Sequence, residues 1–367
     1  MQNKKTVVLG MSGGVDSSVA LYLLKEQGFN VVGVSLKFGF WKNKENELKE
    51  NVCCSKESIN RAKKVCDKYG VPHFVVDTSK EFKKAVIDYF LKTLKENRTP
   101  SPCLFCNRDA KIAGLLKFAK SKKADFVATG HYAKIKKNGE IKLLKAKDKQ
   151  KDQTYFLALL KQEQLAKLIF PLGDYTKAEV YEIAKKQGIE HFPKESQDLC
   201  FVSGKSMPKF LEKEVGINPG KIIDIKGKVL GNHKGLHFYT IGQRKGIKLP
   251  GGPFWVNGFN GNDVLVSKNE KDLFKKQVLL SDLNFLIKKP KKSIQIEAKI
   301  RYRQELSKAV LQRTRGSSTG GSPTSPRWAT SPRWELVFNE LQRAVTPGQI
   351  AVFYKGNVCL GGGVINN

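Results

Sequence analysis

Thr6-Val7-Val8-Leu9-Gly10-Met11-Ser12-Gly13-Gly14-Val15-Asp16-Ser17-Ser18 is the stretch on which the fold turns. Thr6 to Leu9 is apolar and β-favouring and reads as a strand. Asp16 to Gln27 carries helical spacing. Between them lies a glycine- and serine-rich loop. Two glycines let the backbone wrap an anion, Ser17 and Ser18 add hydroxyl donors, and the helix start supplies oriented N–H groups and a positive dipole. Gly10 to Ser17 is therefore read as a phosphate cradle. It lacks the Gly-Lys-[Ser/Thr] of a P-loop nucleotidase. The structural alternative is a plain strand-to-helix turn capped by Ser and Asp.

Outward from this loop, strands and helices alternate. Val31 to Leu36, Phe74 to Val76 and Asp125 to Thr129 read as strands; Lys56 to Tyr69, Lys80 to Lys95 and Asp109 to Lys120 read as helices. This order predicts a doubly wound parallel α/β sheet whose ligands sit outside the strands' carboxyl ends. From about Gly204 the pattern changes to short strands with turn signals, and an all-β region is expected. Val256 to Phe259 and Val264 to Val266 flank Asn260-Gly261, and Ile350 to Tyr354 and Val358 to Leu360 flank Gly356-Asn357, so both read as hairpins. Ser293 to Arg303 alternates strictly, with a basic outer face. The expected organisation is an α/β domain over 1–203, a small β-rich module over 204–275 and an antiparallel β-barrel over 276–367.

The 367 residues carry 66 Lys+Arg against 34 Asp+Glu, a net charge of +32, which points to a polyanionic partner. Lys outnumbers Arg 55 to 11 and is spread along the chain, so charge alone locates no groove. Ala309 to Tyr354 departs from this: it has no Lys, five of the Arg, and a repeated Ser-Pro-Arg-Trp (Ser325 to Trp328, Ser331 to Trp334). It reads as a locally duplicated loop between barrel strands, or as an Arg/Trp loop that stacks on RNA bases. No apolar run approaches the ~20 residues of a membrane span and no signal segment opens the chain, so a cytoplasmic protein without membrane contact is expected.

Seven cysteines are an odd number for a disulfide framework. Cys53 and Cys54 read as incidental thiols, Cys66 and Cys359 as core residues, and His73, His191, His233 and His237 as structural or surface groups. Pro100-Ser101-Pro102-Cys103-Leu104-Phe105-Cys106-Asn107 lies before a helix expected to be capped by Asn107 or Asp109, whose dipole would act on Cys106. Cys103 and Cys106 with His131 would make a partial zinc site. Gly235 to Lys245 interleaves aromatic and basic groups, as an RNA contact or as a strand with a polar face.

Taken with Ala128-Thr129-Gly130-His131-Tyr132, Lys151-Asp152-Gln153-Thr154-Tyr155, Ser196-Gln197-Asp198-Leu199-Cys200-Phe201, Gly242-Gln243-Arg244-Lys245-Gly246, Arg301-Tyr302-Arg303-Gln304, Thr346-Pro347-Gly348-Gln349 and Cys359-Leu360-Gly361-Gly362-Gly363, the loop and the Cys106 segment make the chain resemble the bacterial tRNA-specific 2-thiouridylases. These are PP-loop ATP pyrophosphatases, and the Ser-Gly-Gly-Val-Asp-Ser run resembles the PP-loop itself. The resemblance spans the chain apart from Gln312 to Trp334.

It implies ATP and Mg²⁺, tRNA with a wobble uridine as substrate, a protein persulfide carrier as sulfur donor, and a monomer. Gly10, Met11, Ser12, Gly13, Gly14, Val15, Asp16, Ser17, Leu36 and Gly130 match ATP-binding positions. Cys106 matches the nucleophile and Cys200 the persulfide carrier, with a disulfide between them forming as sulfur is delivered. Ser101, Pro102 and Cys103 match the stretch that meets the target base. His131, Lys151, Asp152, Gln153, Arg301, Tyr302 and Gln349 match tRNA-facing positions. Many members carry Asp where this chain has Cys103. With Cys106 and Cys200 that makes three thiols, the number that would hold a [4Fe-4S] cluster with one open iron. Another PP-loop ligase and a non-catalytic RNA-binding protein are the alternatives; neither uses both the loop and the paired thiols.

Overall fold

The computed structural model describes residues 4–39, 55–190, 199–314 and 334–366. Cys53, Cys54, His191, Ser196 to Asp198 and the repeated Ser-Pro-Arg-Trp up to Arg333 lie outside the described residues. The chain divides into two compact units. One takes in Met1–Asp88, Pro102–Met207 and Asn357–Leu360, the other Tyr89–Ser101, Pro208–Gly356 and Gly361–Asn367.

The first unit is built on a parallel sheet. Its strands are β1 (Thr6–Gly10), β2 (Asn30–Lys37), β3 (His73–Asp77), β4 (Phe126–Ala128) and β7 (Leu168–Ile169), in the order β3-β2-β1-β4-β7. Val7, Val8 and Leu9 of β1 are fully buried, as a central strand covered on both faces demands. Helices α1 (Val15–Glu26) and α2 (Lys56–Lys68) follow β1 and β2. The order runs outward in one direction from β1 to β3 and in the other from β4 to β7. A crevice is therefore set at the carboxyl ends of β1 and β4. The expected doubly wound sheet is present.

Two features of this unit differ from expectation. The helix expected from Asp109 begins at Pro102, running as Pro102–Phe105, a π-helical Cys106–Lys111 and Ile112–Ser121. Proline at the first helical position is favoured, because its missing N–H is one that position would leave unbonded. Cys106 is thus one turn inside the helix, and neither Asn107 nor Asp109 is its cap. The second is a hairpin of β5 (Lys134–Asn138) and β6 (Glu140–Leu144), whose Leu143 and Leu144 pair with Cys359 and Val358.

In the second unit a helix, Met207–Glu214, precedes the first strand where only strands were expected; Phe210 and Leu211 bury its apolar side. The central module is a four-stranded sheet of β8 (Gly220–Asp224), β9 (Val229–His233), β10 (Trp255–Asn260) and β11 (Asp263–Ser267) in the order β10-β11-β8-β9. It closes on Ile222, Leu236, Ile247, Phe254, Val256, Val264 and Val266. Gly235 to Lys245 forms one 3₁₀ turn at Leu236–Phe238 and then turns, not a strand.

The C-terminal strands β12 (Phe274–Phe285), β13 (Ile294–Lys299), β14 (Ser307–Arg313), β15 (Trp334–Arg343), β16 (Ile350–Lys355) and β17 (Val358–Ile365) form a six-stranded antiparallel barrel, closed by pairing of β12 with β17. Both expected hairpins are found. No helix among the described residues is long and apolar enough to cross a membrane.

Candidate active site

A pocket of ≈ 190 Å³ opens at the carboxyl ends of β1, β2 and β4. Gly10, Met11, Ser12, Asp16 and Ser17 line it from the end of β1 and the loop after it, and Thr129, Gly130 and His131 from the loop after β4. Its apolar lining comes from Met11, Val34, Leu36, Phe38 and Leu115. A wall of aliphatic and aromatic groups beside a ring of N–H and hydroxyl donors suits a flat heterocycle carrying phosphates.

The loop is shaped by its own hydroxyls and by two close approaches. Ser17 Oγ donates to the Gly14 carbonyl at 3.0 Å and accepts from the Ser12 backbone N–H at 3.2 Å. Gly14 is the N-cap of α1 and offers no side chain to it, so the first-turn N–H groups have no side-chain acceptor from the cap. Gly13 has φ +72°, and a Cβ there would stand 2.1 Å from the Ser58 carbonyl oxygen in α2. Arg61 Nε donates to the Gly13 carbonyl at 3.3 Å and fixes that approach. At Gly130 a Cβ would come within 3.0 Å of the Asp16 carbonyl carbon and the Ser17 nitrogen, so a side chain there would press the β4 loop away from the cradle.

Asp16 lines the pocket and is held from behind. Its Oδ1 accepts from the Tyr132 hydroxyl at 2.8 Å and from Lys177 Nζ at 2.8 Å, and its Oδ2 accepts from Lys177 Nζ at 2.9 Å. Magnesium is commonly held by one or two carboxylates plus substrate phosphates and water. Asp16, with Oδ2 engaged once, fits that role.

Lys111 also lines the pocket, and it comes from the π-helical turn that begins at Cys106. The pocket and the cysteine helix thus share Lys111. Cys106 is 6% exposed, Cys103 is exposed and Cys200 half-buried, and no disulfide joins the described cysteines. Phe201, next to Cys200, packs edge-on against Phe82 at 6.3 Å between ring centroids, and Phe82 packs on the pocket-lining Phe38 at 4.9 Å. An aromatic chain therefore links the Cys200 turn to this pocket. Among the described residues no three His, Cys, Asp or Glu are grouped to hold a metal ion. The set Cys103, Cys106 and Cys200 does not fit a [4Fe-4S] cluster in this arrangement, nor does Cys103, Cys106 and His131 fit zinc.

His131 accepts or donates at Nδ1 with the Thr129 hydroxyl at 2.8 Å. Burial, with the Lys111 charge adding to it, pushes its pKa down to about 3, so the imidazole is neutral. Gln153 lines the pocket while its Oε1 accepts from the Tyr132 N–H at 3.0 Å. Asp152 is buried, its oxygens accepting from the Ala146 N–H and the Thr154 hydroxyl, so its side chain serves the loop.

In the second unit Gln349 Nε2 donates to the carbonyls of Thr99 and Pro100, at 3.1 and 3.0 Å, directly before Ser101. Arg301 donates to the Ala344 carbonyl, and Tyr302 lies under Lys299 at 5.6 Å. Cys66 and Cys359 are fully buried, as expected of core residues, and burial raises the Cys66 thiol to about 12. Lys111, Lys177 and Arg61 were not picked out from the sequence. Only Lys177 had a readable signal, the Thr176-x-x-Glu179 capping box that starts its helix.

A parallel sheet with an anion-cradling loop after its first strand, no P-loop lysine in that loop and an apolar heterocycle wall defines an adenine-nucleotide-binding protein of the PP-loop class. Three family models match in chain order: tRNA methyl transferase HUP domain over 5–204, tRNA methyl transferase PRC-barrel domain over 208–268, and aminomethyltransferase beta-barrel domain over 323–365. The tRNA-specific 2-thiouridylase MnmA of Clostridium botulinum (strain Eklund 17B / Type B) is 43% identical over 99% of this chain and 98% of its own length. The protein of the same name from Clostridium perfringens (strain 13 / Type A) is 42% identical over 99% of both. Among solved structures, the NMN synthetase of Francisella tularensis is 17% identical, with a TM-score of 0.31, over 51% of this chain and 63% of that one. The chain belongs to the tRNA-specific 2-thiouridylase family.

Proposed function

We propose that the protein is an ATP-dependent tRNA 2-thiouridylase that replaces O2 of the wobble uridine with sulfur. The observation that carries this reading is the wall shared by the nucleotide pocket and the Cys106 helix through Lys111. A pyrimidine carbonyl oxygen is a poor leaving group. Attack of O2 on the α-phosphorus of ATP releases pyrophosphate and makes the oxygen part of an AMP leaving group. The loop Gly10 to Ser17 orients the phosphates, Leu36 and Gly130 border the nucleotide, and Mg²⁺, when bound, neutralises phosphate charge beside Asp16.

Sulfur arrives as a persulfide on Cys200, delivered by a persulfide carrier protein. Its terminal sulfur attacks C2 and AMP departs with the former O2. The Cys106 thiolate then attacks Cys200 Sγ, breaking the S–S bond. The outgoing sulfur stays on C2, and a Cys106–Cys200 disulfide is left for a thiol reductant to open before the next cycle.

Ser101, Pro102 and Cys103 meet the target base; Lys151, Asp152, Gln153, His131, Arg301, Tyr302 and Gln349 form or support the tRNA contact, and the chain acts as a cytoplasmic monomer. In this reading 1–203 carries the chemistry and 204–275 and 276–367 grip tRNA. Methyl transfer, which the wording of the family models would suggest, uses an already activated donor and calls for neither pyrophosphate release nor paired thiols.

The test is reaction of unmodified tRNA with ATP, Mg²⁺ and a persulfide donor, followed by nucleoside analysis. 2-Thiouridine is expected, and it disappears when the wobble uridine is replaced by cytidine. Cys106→Ser and Cys200→Ser should each abolish product while tRNA binding survives; normal product from either overturns the site. Iron-free protein should be fully active, and activity restored only by iron and sulfide would put a [4Fe-4S] cluster in place of the relay.

A further inference from the structure

Lys177 stands in a place that local physics disfavours. It is the first residue of the helix Lys177–Lys186, where the helix dipole opposes a cation, and its side chain is only 11% exposed. What holds it there is Asp16, through both carboxylate oxygens, with the ring of Tyr181 at 4.9 Å and that of Tyr132 at 5.9 Å. Its backbone N–H donates to Asp148 Oδ2 at 2.9 Å. Such violations of a local rule mark sites that a sequence keeps for another purpose. The purpose lies on the other side of Asp16. That carboxylate sits in the first turn of α1, among the N–H groups of a loop shaped for phosphate, and by itself it would repel the phosphates the loop is built to receive.

We propose that Lys177 is a positioning residue for the phosphate site: it cancels the Asp16 charge and, with Tyr132, locks the carboxylate so that the loop accepts a pyrophosphate group even before a divalent cation arrives. Three hydrogen bonds use both lone pairs of Oδ1 and one of Oδ2. The remaining lone pair of Oδ2 is the one left to a cation. This proposal rests on the reading of the pocket as an ATP site.

Equilibrium binding of inorganic pyrophosphate and of ATP to the full chain, measured by calorimetry in EDTA and again with Mg²⁺, tests it. Lys177→Met should weaken metal-free pyrophosphate binding about tenfold, because an uncompensated carboxylate then faces the anion. Lys177→Arg should keep most of the affinity. Adding Asp16→Asn to Lys177→Met should recover metal-free binding to within a few-fold of the wild type. A role confined to folding would instead make the double variant as weak as the single one, with a lowered melting temperature in both. Wild-type metal-free affinity in Lys177→Met, or no recovery in the double variant, overturns the proposal. Wild-type protein that binds neither ATP nor pyrophosphate under any condition overturns the ATP-site reading itself.

Discussion

Gly13→Ala separates backbone strain from close packing at the phosphate loop. Alanine at φ +72° costs about 1–2 kcal/mol of left-handed strain. Its Cβ would also lie 2.1 Å from the Ser58 carbonyl oxygen and 2.9 Å from the carbonyl carbon. Carbon and oxygen in contact stay about 3.3 Å apart, so the loop or the start of α2 must retreat by about 1 Å. The retreat stretches the 3.3 Å bond from Arg61 to the Gly13 carbonyl and tilts the N–H groups away from the phosphates. A displacement of that size at a reacting centre costs roughly 10²-fold in rate.

Gly139→Ala is the control. Its φ is +74°, with nothing within 4 Å of the new Cβ, so it carries the same strain and none of the collision. In steady-state thiolation at varied ATP, Gly13→Ala should lose about 100-fold in kcat/KM for ATP. Gly139→Ala should stay within about twofold, with a melting temperature lower by only a few degrees. Equal ATP kinetics in the two variants would refute the reasoning that the loop's position against α2 matters.

Two more outcomes follow from the buried groups. His131 is held neutral in the folded state with a pKa of about 3, below its ordinary value of 6.5. The unfolded chain therefore takes up a proton that the native one refuses, and stability is lost as pH falls from about 6.5 toward 3, by at most about 1.4 kcal/mol per pH unit. Denaturant titrations should show His131→Gln losing less stability than wild type over that range; parallel curves would contradict the burial argument. Cys66, raised to about 12 and fully buried, should resist iodoacetamide in the native protein at pH 8, while Cys103, whose thiol is also pushed up by desolvation but whose side chain is exposed, is labelled slowly. Peptide mass mapping that found Cys66 modified as fast as Cys103 would place Cys66 outside the core.

The parallel sheet was legible because Val7 to Leu9 and Val31 to Leu36 are compact apolar runs and the glycine loop falls between strand and helix. The β5–β6 hairpin was not, because Lys136, Lys137 and Lys142 dilute its apolar alternation and part of its pairing comes from Val358 and Cys359, far away in sequence. The helix start at Pro102 was hidden because Asn107 and Asp109, both common capping residues, mark a later start, although Pro102 sits where a helix favours proline. The cradle residues and Cys106 could be found from local motifs. Arg61 could not, and the capping box before Lys177 marks a helix start and not a role, since each residue matters only through a partner, Gly13 or Asp16, that the fold brings to it.

The central chemical claim is that O2 of the wobble uridine leaves on AMP. It is tested most directly with tRNA carrying ¹⁸O at that single position, thiolated in a single turnover and followed by mass spectrometry of the nucleotide product. Adenylation before sulfur attack puts the label in the phosphate of AMP, one atom for each 2-thiouridine formed. Unlabelled AMP beside fully thiolated tRNA, with the ¹⁸O in water or pyrophosphate, would contradict it.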